Sequence, residues 1–471
     1  MHIEQIYTGC LAQGAYYIES GGEVAIIDPL RATQPYIDLA ASRGAKIKYI
    51  FETHFHADFV SGHVTLSEKT GAEIMYGPSA KCAFQCTEAE DGQRFPLGEI
   101  VIETIHTPGH TMESTCWLLR TAEDHPHALF SGDTLFLGDV GRPDLAQKAV
   151  EMTQEDLAGM LFDSTRSKVM TLPDEVIVYP GHGAGSACGK NMSSETVGSI
   201  GAEKATNYAL RADMTRAEFI EELTDGLLPP PAYFPLNVAL NKQGYESFED
   251  VLQRGTHALD PRQFERVAED SGAIVLDVRN QQAFAEGHVP RSIFIGLEGN
   301  FAPWTGALIV DVKQPLLIVC EPEQLEEAIT RLSRVGFDQV VGYLEGGVEA
   351  WTAAGKDLDC IKRISGDDFA ALHKVQGAEI QLFDVRTESE YRSQRVAGSI
   401  NQPLNLLSNH IKAFPRDETF FMHCLTGYRS AISQSILKSR GIHNGVDVVG
   451  GWESLKETDI PVTEFVCPTT F

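Results

Sequence analysis

Five short apolar runs punctuate the first 180 residues, and each breaks off at a Gly, Pro or Asp beside a polar side chain. Val24-Ala25-Ile26-Ile27 ends at Asp28-Pro29. Tyr49-Ile50-Phe51 runs into Thr53-His54-Phe55-His56-Ala57-Asp58-Phe59. Ile100 to Ile105 ends at Thr107-Pro108-Gly109-His110, Ala128-Leu129-Phe130 at Ser131-Gly132-Asp133, and Val176 to Tyr179 at Pro180-Gly181-His182. Short apolar stretches bounded by such residues predict strands. Loops at strand ends are where a rigid sheet carries a site. Residues 203–255 read as helical and then irregular. Pro229-Pro230-Pro231 stops any helix because prolines lack the amide donors it needs, and Asn237 to Gly244 continues as coil or a short helix.

Beyond residue 250 the pattern changes and repeats. Ile274-Val275-Leu276-Asp277-Val278-Arg279 recurs as Gln381-Leu382-Phe383-Asp384-Val385-Arg386, and Val289 to Ile293 as Val396 to Ile400, both at an offset of 107. Gly346-Gly347 returns as Gly450-Gly451. Strand-like runs alternate with helical stretches such as Glu323–Val335 and Arg429–Ser439, which predicts two α/β units with parallel sheets. The expected domains are 1–250, 251–358 and 359–471.

The chain has 471 residues, too many for one ordinary core. Its net charge of −28 argues against nucleic acid or an anionic membrane as the main partner. There is no run of 18 apolar residues and no basic-then-apolar N-terminus, which predicts a chain that is neither secreted nor membrane-spanning, with a cytoplasmic location. The nine cysteines are scattered and odd in number, so reduced thiols are expected.

His54, His56, Asp58, His110, Asp133 and His182 all fall at strand ends in the first domain. The H-x-H-x-D loop, Thr107-Pro108-Gly109-His110-Thr111, Gly132-Asp133-Thr134 and Gly181-His182-Gly183 together resemble the metallo-β-lactamase fold, an αββα sandwich. In its hydrolytic members, the glyoxalase II enzymes, the resemblance implies two metals: His54, His56 and His110 on one, and Asp58, a histidine at position 59 and His182 on the other, with Asp133 bridging. Phe59 has no lone pair to offer. The chain is therefore more similar to the persulfide dioxygenase branch, where the resemblance implies one Fe(II) per chain held by His54, His110 and Asp133. Two imidazoles and a carboxylate on one face leave open positions that suit Fe(II) and O2. His56, Asp58 and His182 then orient ligands or water, or form part of a second site. Arg142 either faces an anionic substrate or product or pairs with Asp139 or Asp144. Cys188, in a glycine-rich loop, either handles sulfur or is a small residue in a tight turn; the second reading is the simpler.

In the second repeat, Phe421-Met422-His423-Cys424-Leu425-Thr426-Gly427-Tyr428-Arg429-Ser430 leads apolar residues into a cysteine, a loop and a helix. A cysteine there meets backbone N–H groups and a helix N-terminus, which favour a thiolate and any sulfur it carries. Together with Asp384-Val385-Arg386 and Gly450-Gly451-Trp452, this loop resembles that of a rhodanese. The resemblance implies that Cys424 is the nucleophile and that Arg429 adds positive charge. In the first repeat Cys320 takes the place of Cys424, but Pro322 removes a donor and Glu321 and Glu323 oppose a thiolate. Residues 251–358 therefore read as an inactive rhodanese-like scaffold.

The whole resembles a persulfide dioxygenase–rhodanese fusion. It implies oxidation of a low-molecular-weight thiol persulfide by O2 to sulfite, coupled to sulfur transfer to or from thiosulfate. The alternatives are a dinuclear glyoxalase II-like thioester hydrolase with an accessory sulfurtransferase, and a non-enzymatic persulfide relay or sensor. By analogy with the fold, a homo-oligomer is expected.

Overall fold

A computed structural model describes residues 1–145, 151–227 and 229–467. The chain falls into two compact units, residues 1–250 with 332–337, and 251–331 with 338–471.

The first unit is built on two six-stranded sheets. One lays His2–Thr8, Gln13–Ser20, Glu23–Ile27, Lys46–Phe51, Glu73–Tyr76 and Thr87–Glu88 side by side in chain order. Its first three strands are antiparallel and the rest parallel. The other runs Gly198–Ser199, Ile177–Pro180, Pro126–Gly132, Thr115–Arg120, Ile100–His106 and Arg94–Leu97. Strand periodicity shows how the layers stack. Ala25 and Ile27 join Phe51, Trp117, Leu119 and Phe130 in the core between the sheets. Their neighbours Val24 and Ile26 pack with Tyr36, Ala40 and Leu66, from helices Gln34–Ser42 and His63–Thr70, on the outer face. A strand buried on both faces reads as a continuous apolar run rather than an alternating one. Leu118 and Leu129 of the second sheet meet Leu161 and Phe219 from helices Gln154–Ser164 and Arg216–Thr224. The result is an αββα sandwich.

The five apolar runs are strands, and the four loops with metal-capable side chains follow strand ends Phe51, His106, Gly132 and Pro180. The stretch read as coil or a short helix is the helix Phe234–Gln243, with Pro235 in its first turn, where the missing amide costs nothing. One expectation fails. Cys82 and Cys86 are joined in a disulfide, while Cys10, Cys116, Cys188, Cys320, Cys360 and Cys424 are free thiols. Their Cα atoms lie 6.6 Å apart across a loop, within bridging range.

The second unit carries the repeat as two five-stranded sheets with the same strand order, all neighbours parallel. The first holds Ala258–Leu259, Val340–Leu344, Leu316–Val319, Ile274–Asp277 and Ile293–Phe294. The second holds Lys362–Ile364, Gly445–Val448, Phe420–His423, Leu382–Asp384 and Ile400–Asn401. Cys320 and Cys424 follow the central strands of these sheets, where parallel α/β sheets present their ligands. Among the described residues no helix is long and apolar enough to cross a membrane.

Candidate functional sites

Asp28 anchors the histidine loop. Its Oδ1 accepts the Thr53 amide and its Oδ2 the Thr53 hydroxyl, both at 2.8 Å. With its hydrogen committed to Asp28, Thr53 Oγ1 can only accept from His54 Nδ1, 3.0 Å away. His54 Nε2 is thereby left as a bare lone pair. The same holds for His110, whose Nδ1 donates to the Arg142 carbonyl at 2.8 Å. Both Nε2 atoms face Asp133 Oδ2, at 3.8 and 3.6 Å. That oxygen is buried and has no hydrogen-bond partner. Three Lewis bases thus converge on one point with no proton between them, an arrangement that fits a divalent cation. Burial lowers the basicity of His54 well below the ordinary histidine range. Burial raises the Asp133 carboxyl, but the imidazoles of His182, His54 and His110 more than offset this and hold it well below the carboxylate range.

Close backbone approach supports the geometry. Gly132 adopts φ +51°, and a Cβ there would lie 2.5 Å from Thr53 Cβ. A Cβ on Gly141 would overlap the Asp133 carbonyl oxygen. The first substitution would push on Thr53, which orients His54, and the second on Asp133 itself.

The remaining histidines point elsewhere. His182 donates Nδ1–H to Asp133 Oδ1 at 2.8 Å, and its Nε2 lies 2.8 Å from Asp58 Oδ2. Burial lowers the basicity of His182, but Asp133 and Asp58 together carry it well above the ordinary value. His56 turns its Nε2 to Asp28 Oδ1 at 3.1 Å and Glu52 Oε2 at 3.7 Å. The Phe59 ring, fully buried, stands 4.2 Å from the His56 ring and 6.2 Å from that of His182. Asn241 holds this loop: its amide donates to the carbonyls of His56 and Phe59 and accepts the Ser61 amide, each at 2.8 Å. Neither Glu52 nor Asn241 was singled out in the sequence. Glu52 directly precedes the motif, whereas Asn241 is distant in the chain and only folding reveals its contacts.

Arg142 forms a two-pronged pair with Asp144, both bonds 2.7 Å, and its carbonyl orients His110. Asp139 instead accepts the amides of Lys190 and Asn191. Cys188 is buried and groups with Asp58 and His182. Burial pushes its thiol well above the usual range, and the Asp58 and Asp133 carboxylates add to that. A thiol held protonated is a poor nucleophile.

The second constellation surrounds Cys424. The strand Phe420–His423 delivers it to a loop that turns at Gly427, φ +111°, into helix Tyr428–Ser439. The Gly427 amide lies 3.1 Å from Sγ and the Ser430 hydroxyl 3.8 Å. Trp452 N donates to the Cys424 carbonyl at 2.7 Å, and a Cβ on Gly451 would stand 2.5 Å from that oxygen. The paired glycines are thus a packing requirement. Arg386 is clamped to Asp384 and lies over the Trp452 ring, 4.6 Å from its centroid. Arg429 does not stand free: both prongs bind Glu390, at 2.7 and 2.8 Å. Burial raises the Glu390 carboxyl, but Arg429 outweighs this and holds it down to about 2. A cavity of about 890 Å³ opens over Cys424. Cys320 occupies the matching position in the first repeat, where burial, with Asp277, Glu321 and Glu323, pushes its thiol up to about 12.

Asp447, on strand Gly445–Val448, has a pH consequence. Burial raises its carboxyl to about 7, against smaller lowering contributions from Ser430 and Arg363. A carboxyl raised on folding contributes stability that is intact below its unfolded value near 4 and lost as pH rises towards 7. The loss is on the order of 4 kcal/mol. Asp447→Asn is therefore expected to raise the melting temperature by about 10 °C at pH 7.5 and leave it unchanged at pH 4, as read by calorimetry of both proteins.

Comparison with known proteins agrees with this geometry. A family model of the metallo-beta-lactamase superfamily matches residues 8–182, and one of the rhodanese-like domain matches 260–354 and 368–458. A solved metallo-beta-lactamase from Staphylococcus aureus is 30% identical, covers 73% of this chain and 98% of its own, and superposes with a TM-score of 0.64. The chain belongs to the metallo-β-lactamase superfamily. Two rhodanese-like domains follow its metallo-β-lactamase domain. The human mitochondrial persulfide dioxygenase ETHE1 is 28% identical over 221 residues, 46% of this chain and 78% of its own. The cytoplasmic hydroxyacylglutathione hydrolase of Arabidopsis thaliana is 32% identical over 178 residues, 37% of this chain and 65% of its own. Within the superfamily, similarity thus extends to a dioxygenase and a hydrolase alike.

Proposed function

We propose that the chain is a persulfide dioxygenase joined to a sulfurtransferase. The observation that carries this reading is Phe59, a buried apolar ring where a two-metal hydrolase needs an imidazole, beside three residues that converge as one facial set. His54, His110 and Asp133 hold Fe(II), one per chain, which when bound supplies a place for O2 and a persulfide to meet. The protein's own groups set up that place. Thr53 and the Arg142 carbonyl fix which nitrogen of each imidazole faces the metal, and His182 holds Asp133 by its outer oxygen. The overall reaction balances as R–S–SH + O2 + H2O giving R–SH, sulfite and two protons.

At the second site Cys424 attacks the outer sulfur of a persulfide. The S–S bond breaks, R–S⁻ leaves, and sulfur remains as Cys424–S–SH, supported by the Gly427 amide. Sulfite takes that sulfur as thiosulfate and frees the cysteine. One site produces the nucleophile that the other consumes. The hydrolase similarity favours a second reading, thioester hydrolysis at two metals. Metal analysis with an oxygen electrode decides between them. About one iron per chain and O2 uptake with a thiol persulfide is the expected result; two zinc ions and thioester hydrolysis without O2 uptake overturns it.

A further inference from the structure

The cavity over Cys424 has walls from both repeats. Cys424, Tyr428 and Arg429 line one side; Gln281, Asn300 and Trp304, from the rhodanese-like domain without a competent cysteine, line the other, with Glu286 and Glu298 beside them. Its volume lies in the range of about 300–1,000 Å³ that encloses ligands of many atoms, and far exceeds a small oxyanion such as thiosulfate. Its charge is unusual for a site handling anionic sulfur. Among the described residues Arg429 is the one cationic side chain lining it, and both its prongs are spent on Glu390. Glu286 and Glu298 are exposed carboxylates. Glu286 has an Arg363 guanidinium 3.8 Å away and accepts from Gln282, which leaves Glu298 and the acidic chain as a whole, −28, to set the sign. Amides and an indole are suited to an amide-bearing arm, while phosphate groups meet repulsion.

We propose that the first rhodanese-like domain is the selectivity wall of the Cys424 site. It admits the persulfide of an extended thiol carrier bearing amide groups and discriminates against carriers bearing phosphates. This rests on the reading of Cys424 as sulfur carrier. The step itself is the exchange given above, with R–S⁻ as leaving group and no external oxidant.

The test uses the full-length chain without O2, with sulfite as acceptor and thiosulfate as the product measured. Pantetheine persulfide and coenzyme A persulfide serve as donors: they share one arm and differ by the phosphorylated nucleotide. The acceptor is common to both assays, so its own charge cancels in the ratio. The wild-type kcat/KM is expected to favour pantetheine persulfide by about tenfold at low salt, shrinking as salt is added. In Glu286→Gln/Glu298→Gln the preference is expected to fall to about threefold or less by a gain with coenzyme A persulfide. Trp304→Ala is expected to raise KM for pantetheine persulfide by about fivefold with kcat little changed. Equal use of both donors by wild type, or a preference untouched by the carboxylate changes and by salt, overturns the proposal alone. Thiosulfate formation surviving in Cys424→Ser overturns the carrier reading and the proposal with it.

Discussion

Asp133→Ala is expected to lose the metal and O2 uptake together while sulfur transfer at Cys424 continues. Asp133 Oδ2 is the atom both Nε2 lone pairs face, and Oδ1 is the acceptor for His182. Removing the carboxylate leaves two imidazoles 4.9 Å apart between ring centroids, with no anion to balance a divalent charge, and leaves His182 held by Asp58 alone of its two carboxylates. Loss of a group that merely orients a ligand costs about 10–100-fold in metal affinity or activity, so loss of a ligand is expected to exceed about 100-fold. Iron content per chain should fall to background and persulfide-dependent O2 uptake with it. Anaerobic thiosulfate formation from a persulfide and sulfite should stay within about twofold of wild type, since Cys424 and its loop belong to the other compact unit. O2 uptake that survives the substitution means that the metal is not the catalyst, and favours a relay or sensor whose metal is structural.

Much of this site could be read from the chain, for a physical reason. Strand ends carry their chemistry locally: the apolar run, the punctuating residue and the ligand are neighbours, so His54, His110, Asp133 and His182 announce themselves one loop at a time. The repeat is equally local, because Asp277-Val278-Arg279 and Asp384-Val385-Arg386 fold the same way twice. What stayed hidden depends on folding. Asn241 is about 180 residues from the loop it pins. Glu390 reaches Arg429 across 39 positions, so the positive charge expected beside Cys424 is paired with a carboxylate. Cys82 and Cys86 pair because their loop brings them together, and a count of scattered cysteines could not show that. Arg142 had two readings open in sequence, and Asp144, two residues on, takes its guanidinium in the structure.

Cys424→Ser should give the reverse separation: sulfur transfer falls by at least about 10³-fold and O2 uptake with a thiol persulfide is spared. The serine is nearly isosteric, so the Gly427 amide and the Trp452 contact to the 424 carbonyl remain, and folding is not the variable. The change lies in the atom. A hydroxyl does not ionise near neutral pH and forms no stable analogue of Cys424–S–SH, so the loop is left without the sulfur that the proposed transfer needs. Cys320 offers no rescue. It sits after the equivalent strand with the equivalent glycine pair, but its thiol is held protonated by burial and by Asp277, Glu321 and Glu323. The expected products differ accordingly. On the proposed function, wild type supplied with persulfide and O2 is expected to accumulate thiosulfate, because sulfite made at the first site would be consumed at the second. The variant accumulates sulfite at an unchanged rate of O2 uptake. Ion chromatography of the two mixtures reads this directly. Thiosulfate from the variant at the wild-type rate shows that transfer does not pass through Cys424, and loss of O2 uptake together with transfer shows that the two sites do not work independently.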